Sequence, residues 1–297
     1  MTTRASARAP AGVRVATWNI RAAIGPREPF PAAWWRHVDR GRLARIGERI
    51  VGFDADVVAL QEVAVLNAHG DLIDEPAELA RLTGMHVRYG AVHAFALMEP
   101  EDGRAVGAAS WGNAVLTRRP IDDGFAIGLP MGADGELVET AESGLPLAGI
   151  PYREAEPGAR EPRCAVGGRL TGPGPELSIV NAHLTYAGTG QRHAQAEMLS
   201  RIVRDFEGPV IVAGDFNAAI EAPELRPLAE ALDDAFGTVG VAEGDPRRAS
   251  CGSHRIDHLL TRGLMALDCV VERDAGDASD HLPVVGTFEQ LRPPQID

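Results

Sequence analysis

Apolar runs of strand length recur along this chain: "VRVATW", "DVVALQ", "GNAVLT", "CAVGGRL", "LSIVNAHL", "VIVAGDF", "RIDHLL" and "VVGTFE". They are rich in Val, Ile and Leu. Several lack the polar alternation of a half-exposed strand, which is the pattern of central strands buried on both faces. Helical spacing appears between them. Leu43, Ile46 and Ile50 predict an amphipathic helix over 38–51, and Ala194, Met198, Ile202 and Phe206 predict a second over 191–206. "PELRPLAEALDD" predicts a shorter third. Strands interleaved with helices, with no linker dividing two cores, imply one α/β domain with layered sheets.

Two stretches depart from this rhythm. Residues 1–12 read as a flexible tail ahead of a single domain over 13–297. Residues 122–162 are rich in Gly, Pro and Glu with little periodicity, and long loops of that kind tend to be inserts or lids beside a site.

Bulk composition narrows the class. With 297 residues, 45% of them hydrophobic and 24% charged, the chain can bury a sizeable core as an ordinary globular protein. Cys164, Cys251 and Cys269 are too few and too scattered for a disulfide framework or a cysteine-based zinc site, and read as thiols in a reducing compartment. The N-terminus has no apolar segment of a secretory signal, and no stretch approaches the roughly 18 apolar residues of a membrane span. The cytoplasm is the expected location. A net charge of −13 argues against broad attraction to nucleic acid without closing the case for a local basic cleft.

The polar residues at the strand ends carry the chemistry. "VATW" ends in Asn19, "VVALQ" in Glu62, "SIVNA" in His183, and "VIVAG" in Asp215 followed by Asn217; "HRI" leads to Asp257, and "DASDHLPV" sets Asp280 beside His281. If the strands align, these side chains meet at one rim. Asn, Asp and Glu oxygens suit Mg²⁺ or Mn²⁺ better than zinc. Two histidines can hold a phosphate or move protons near neutral pH. An Asp beside a His can fix its tautomer. The sequence has no nucleophile elbow, Walker loop or dinucleotide fingerprint, so metal-assisted hydrolysis of a phosphate ester fits best.

In order, "TWNI", "LQEV", "GNAVLTRRP", "VNAHL", "GDFN", "RIDHLL" and "SDHLPV" resemble the endonuclease/exonuclease/phosphatase superfamily, over about residues 13–288. The resemblance implies a DNase I-like four-layer α/β/β/α sandwich with two central mixed β-sheets and the site at one end of them. It implies Glu62 as the main metal ligand, with Asn19 and Asp280 near the same ion. Asp215 would orient or deprotonate the attacking water, and Asn217 would hold a phosphate oxygen or a second ion. His281, steered by Asp257, would bind the scissile phosphate. His183 would hydrogen-bond it and help protonate the leaving group. Asn113 would support the cleft rather than the chemistry. Arg21 stands where abasic-site members carry an acidic residue, which points away from DNA repair. The "EPRCAV" stretch also resembles the family, but no catalytic meaning attaches to it.

The bland readings are kept for the rest. Trp34 and Trp35 are expected to pack the first helix against the sheet. His69, His86, His93, His193, His254 and His258 are read as structural, and "RRP" at Arg118 as a turn. The expected protein is thus a Mg²⁺- or Mn²⁺-dependent hydrolase of a small or lipid-derived phosphodiester or phosphomonoester. A nuclease is the alternative, and a catalytically inactive ligand-binding member is the reading from another class.

Overall fold

Val13 and Val15 face one side of the first strand, Ala16 and Trp18 the other, and all four are buried. The computed structural model describes residues 12–27, 33–131, 162–186 and 188–291. It contains strands β1 (Gly12–Asn19), β2 (Val57–Ala68), β3 (Asp71–Asp74), β4 (His86–Met98), β5 (Ala105–Thr117) and β6 (Ile121–Leu129). After the undescribed stretch come β7 (Arg163–Leu170), β8 (Leu177–His183), β9 (Val210–Asp215), β10 (Asp233–Asp234), β11 (Asp257–Arg262), β12 (Leu264–Val271) and β13 (Val284–Gln290). The longer helices are α1 (Arg40–Gly52), α2 (Glu75–Thr83) and α3 (Thr189–Asp205).

One sheet runs β12-β13-β1-β2-β5-β4 with β3 added to β2, and the other runs β10-β11-β9-β8-β7-β6. Both are mixed, since β1 lies parallel to β2 and β8 to β9 while their outer neighbours are antiparallel. Val15, Val57 and Val115 of the first sheet meet Val166, Ile179, Ile211 and Leu259 of the second in a shared inner core. Leu43, Ile46 and Ile50 of α1 and Leu79 of α2 cover the outer face of the first sheet, and Leu199 and Val203 of α3 cover that of the second. The architecture is the α/β/β/α sandwich that the sequence implied. Burying both faces of the central strands is why they carry no polar alternation.

The inner layer is not wholly apolar. Gln61 Nε2 donates to Thr17 Oγ1 (3.0 Å) and to Asn181 Oδ1 (2.7 Å), while Asn181 Nδ2 donates to the Leu60 and Ala114 carbonyls (both 2.8 Å). These buried bonds tie the two sheets together near the rim and fix their relative height.

Some expectations change in detail. The second helix forms, but its buried stripe is Gln195, Ala196, Leu199 and Val203, and the four residues that marked its period lie only partly buried beside it. The stripe is partly polar because Gln195 Oε1 accepts from the Thr185 amide (2.9 Å) and its Nε2 donates to the Pro130 carbonyl (3.0 Å). "PELRPLAEALDD" yields a 3₁₀ turn at Pro223–Leu225 and a single helical turn at Arg226–Ala229, because Pro227 leaves no amide to extend it backwards. The stretch read as an irregular insert opens as strand β6, paired to β7. Residues 132–161, with the rest of that expectation, lie outside the described residues, as do 1–11 of the tail. Among the described residues no helix is long and apolar enough to cross a membrane.

Candidate active site

The parallel pairs β1/β2 and β8/β9 end at the same rim. Asn19 is the last residue of β1, and His183 and Asp215 are the last residues of β8 and β9, level with one another in the ladder. Asp257 opens β11 directly opposite Asp215. Glu62 lies in a bulge of β2, where pairing with β5 slips between Leu60 and Val63, and its φ of 53° is left-handed. That bulge turns a carboxylate toward the rim from mid-strand.

The side chains form one connected cluster. Asn19 Nδ2 donates to Glu62 Oε1 (3.0 Å) and to Asp215 Oδ2 (3.1 Å). Asp215 Oδ1 accepts from the Asn217 amide (3.0 Å), and Asp215 Oδ2 stands 3.4 Å from His183 Nε2 and 3.7 Å from His281 Nε2. His281 Nδ1 and Asp257 Oδ2 are 2.9 Å apart and both residues are buried. The His281 backbone is held by its carbonyl, which accepts from Trp18 Nε1 (2.9 Å), and its amide, which donates to Ser279 Oγ (3.2 Å). Ser279 in turn donates to the Asn19 carbonyl (2.7 Å), which ties the "SDH" segment to the end of β1.

Burial and neighbouring charge set the protonation. Burial, reinforced by the Asp257 charge, pushes the Asp215 carboxyl up to about 7. Burial also raises Glu62; its bond from Asn19 opposes this and the charge of Asp280 adds to it. The histidines part company. His183 is driven well below its ordinary value by burial and by the cations Arg163 and His281, so it is neutral. Burial opposes the charged form of His281 too, but Asp257 and Asp215 overcome it and hold it well above that value, as an imidazolium.

Two arginines complete the cluster, and neither was given a role in the sequence reading. Arg21 is buried, its Nη1 lies 3.2 Å from Asp280 Oδ2, and its backbone amide donates to Asn19 Oδ1 (3.1 Å). It gets there through a left-handed turn in which Arg21, Ala22 and Ala23 have φ of 48°, 44° and 50°. Such residues are costly without glycine, and strain of this kind concentrates at functional sites. Arg163, also buried, brings Nη1 to 3.3 Å from His183 Nδ1. The "EPRCAV" stretch that contains Arg163 resembles the family, and that was its one signal; strand position alone does not separate it from a solvated charge.

Oxygen donors dominate the rim, and Glu62, raised by burial and by the charge of Asp280, is the kind of carboxylate that a divalent cation relieves, so the donor chemistry fits Mg²⁺ or Mn²⁺. Among the described residues, the one set of three or more carboxylate, histidine or cysteine ligand atoms lying within 4.8 Å of one another is Asp215, Asp257 and His281. Two of those three are already joined to each other. Asn19 presents its amide hydrogens to the carboxylates and thus links Glu62 to Asp215.

Other singled-out residues lie at the margin. Asn113 is buried between the sheets with Nδ2 donating to the Cys164 carbonyl (2.9 Å). Trp34 packs edge-on to Trp111 at 4.9 Å in the α1 layer. His258 stacks on Phe216 at 5.3 Å, with Nε2 2.8 Å from the Ala218 carbonyl, and so steadies the turn after Asp215.

The chain belongs to the Endonuclease/Exonuclease/phosphatase family, whose sequence profile matches residues 16–281. A UPF0294 protein of Vibrio cholerae is 33% identical over 154 residues, half of this chain and 52% of that protein. The chain thus spans about half the length of the curated relatives of this kind that it matches. In structure it is similar to an endonuclease/exonuclease/phosphatase of Beutenbergia cavernae, with a TM-score of 0.65 and 22% identity over 94% of this chain and 72% of that one. It is also similar to the human Nocturnin catalytic domain solved with a bound sulfate anion, with a TM-score of 0.61 and 19% identity over 94% and 95% of the two chains.

Proposed function

We propose that this protein is a divalent-metal-dependent phosphoesterase that hydrolyses a small or lipid-derived phosphodiester or phosphomonoester. The observation that carries the reading is the meeting of Asn19, Glu62, Asp215, Asp257 and His281 at one sheet rim, with His281 held between Asp257 at 2.9 Å and Asp215 at 3.7 Å. Glu62, with Asn19 and Asp280 beside it, would hold Mg²⁺ or Mn²⁺, which when bound neutralises phosphate charge and stabilises the leaving oxygen. Asp215 accepts a proton from the water that attacks phosphorus in line. His281, kept charged by Asp257, holds the non-bridging oxygens as negative charge builds on them. Neutral His183 and the Asn217 amide add donors on the other side. Neutral His183 binds the phosphate, and the leaving oxygen, whose charge the bound ion would stabilise, takes its proton from solvent water.

A nuclease is the second reading, favoured by the family itself and opposed by the net charge of −13. The three free thiols fit the cytoplasm as the working compartment. A panel of chromogenic diesters and monoesters with Mg²⁺, Mn²⁺ or EDTA, repeated at rising salt, tests these readings. The proposal expects metal-dependent turnover of small esters with a shallow salt slope. Activity confined to polynucleotides and falling steeply with salt would favour the nuclease.

A further inference from the structure

His183 has a donor at each ring nitrogen, and a neutral imidazole can accept at only one. Arg163 Nη1 lies 3.3 Å from Nδ1, Asn217 Nδ2 lies 3.0 Å from Nε2, and Asp215 Oδ2 lies 3.4 Å from Nε2. With the proton on Nδ1, that N–H points at a guanidinium that has no acceptor to offer, and the Nε2 lone pair faces a carboxylate. Only the Asn217 contact is satisfied. With the proton on Nε2, the Nδ1 lone pair accepts from Arg163, and the Nε2–H lies near the Asp215 carboxylate, 3.4 Å away. The cost falls on the Asn217 contact at Nε2, whose side-chain amide keeps its bond to the Leu184 carbonyl at 2.9 Å. Arg163 can only donate, so the lone pair it needs at Nδ1 favours the second arrangement, and that bond is charge-assisted.

We infer that Arg163 is a positioning residue that fixes His183 as the Nε2–H tautomer, so that the N–H beside Asp215 in the free protein is the donor a phosphate oxygen meets when substrate binds. The placement follows from the sheet. Arg163 opens β7, the antiparallel neighbour of β8, and its side chain reaches the residue that ends β8. Both residues are buried, at 7% and 3% exposure, which strengthens a cation-to-lone-pair bond. The consequence for catalysis rests on the phosphoesterase reading, but the tautomer does not.

The test is ¹⁵N NMR of the full chain with labelled histidine, with His183→Gln used to assign the signal. Wild type is compared with Arg163→Met and Arg163→Lys, each checked for an intact fold by its melting curve. Wild-type His183 is expected to carry its proton on Nε2 alone. Arg163→Met should lose that preference, and its turnover of a chromogenic ester should fall about ten- to a hundredfold, mainly in kcat. Arg163→Lys, which keeps a cationic donor, should retain the tautomer and recover part of the rate. A wild-type His183 protonated on Nδ1, or on both nitrogens, would overturn the inference. So would an Arg163→Met variant that folds and keeps the wild-type tautomer, whatever its rate. If wild type turns over no ester, the NMR result alone decides the tautomer, and only the phosphoesterase reading fails.

Discussion

Asp257 has one carboxylate oxygen on His281 Nδ1, while the other is buried with no hydrogen-bond partner among the described residues. Its negative charge is therefore spent on the imidazolium. Asp257→Asn keeps the shape and removes the charge, so turnover is expected to fall about 100-fold or more while the melting temperature changes little, as steady-state kinetics and a thermal melt would show. At this scale the sequence was most informative where a polar residue closes an apolar run, because the run itself forces the strand and so locates its end. Asn19, His183 and Asp215 are of that kind. Arg21 and Arg163 were not legible as participants: their place depends on a left-handed turn and on which strand neighbours β8, and neither is written in local spacing.

The β2 bulge shows how an element delivers a side chain. Where β1 leaves β2, Ile20 still donates to the Gln61 carbonyl (3.0 Å); β3 takes over pairing only at Val65. In the gap, Glu75 at the start of α2 accepts from the Ala64 amide through Oε2 (2.8 Å), and the residue is fully buried. Burial, opposed by that amide, pushes the Glu75 carboxyl up to about 8 from an ordinary 4.5. Between those values the folded chain holds a proton that the unfolded chain has released. Its contribution is therefore fully present below the unfolded value and is lost as pH rises through the folded one, by about 1.4 kcal/mol per pH unit. Glu75→Gln removes the titration, so melts run from pH 5 to 9 should show the variant gaining on wild type as pH rises; a constant difference would contradict this.

Gly214 is a second structural requirement. It has φ of 154°, and an added Cβ would sit 1.8 Å from the Ala182 carbonyl oxygen of β8. Gly214→Ala should part β8 from β9 and lower both melting temperature and turnover, since Asp215 is the next residue. The helices were legible in extent more than in phase. In α3 the buried side includes Gln195 and Arg192, whose hydrogen bonds make polar residues tolerable there, so an apolar count points its stripe to the wrong side.

For the whole molecule, the layered architecture was legible because strands buried on both faces must lie between covering layers, and the apolar runs said so. The edge strands were less so: β3, β4 and β12 went unremarked, as "HVRYGAVHAFALM" mixes polar and apolar residues in the way of a half-exposed edge. With a net charge of −13 and Arg21 at the rim paired to Asp280, the small-ester reading expects little attraction of polyanions. Its rate on a small ester should therefore change less than about threefold between low and physiological salt, which initial rates would measure.

The rim residues are proposed to form one hydrolytic site working with a divalent ion. The most direct measurement is initial-rate hydrolysis of one chromogenic phosphodiester by wild type, Asp215→Asn and His281→Ala, each in Mg²⁺ and in EDTA. Wild type is expected to turn over in Mg²⁺ alone, with both variants reduced about 100-fold or more although folded. Equal rates in all three proteins, or a wild-type rate unchanged by EDTA, would contradict it.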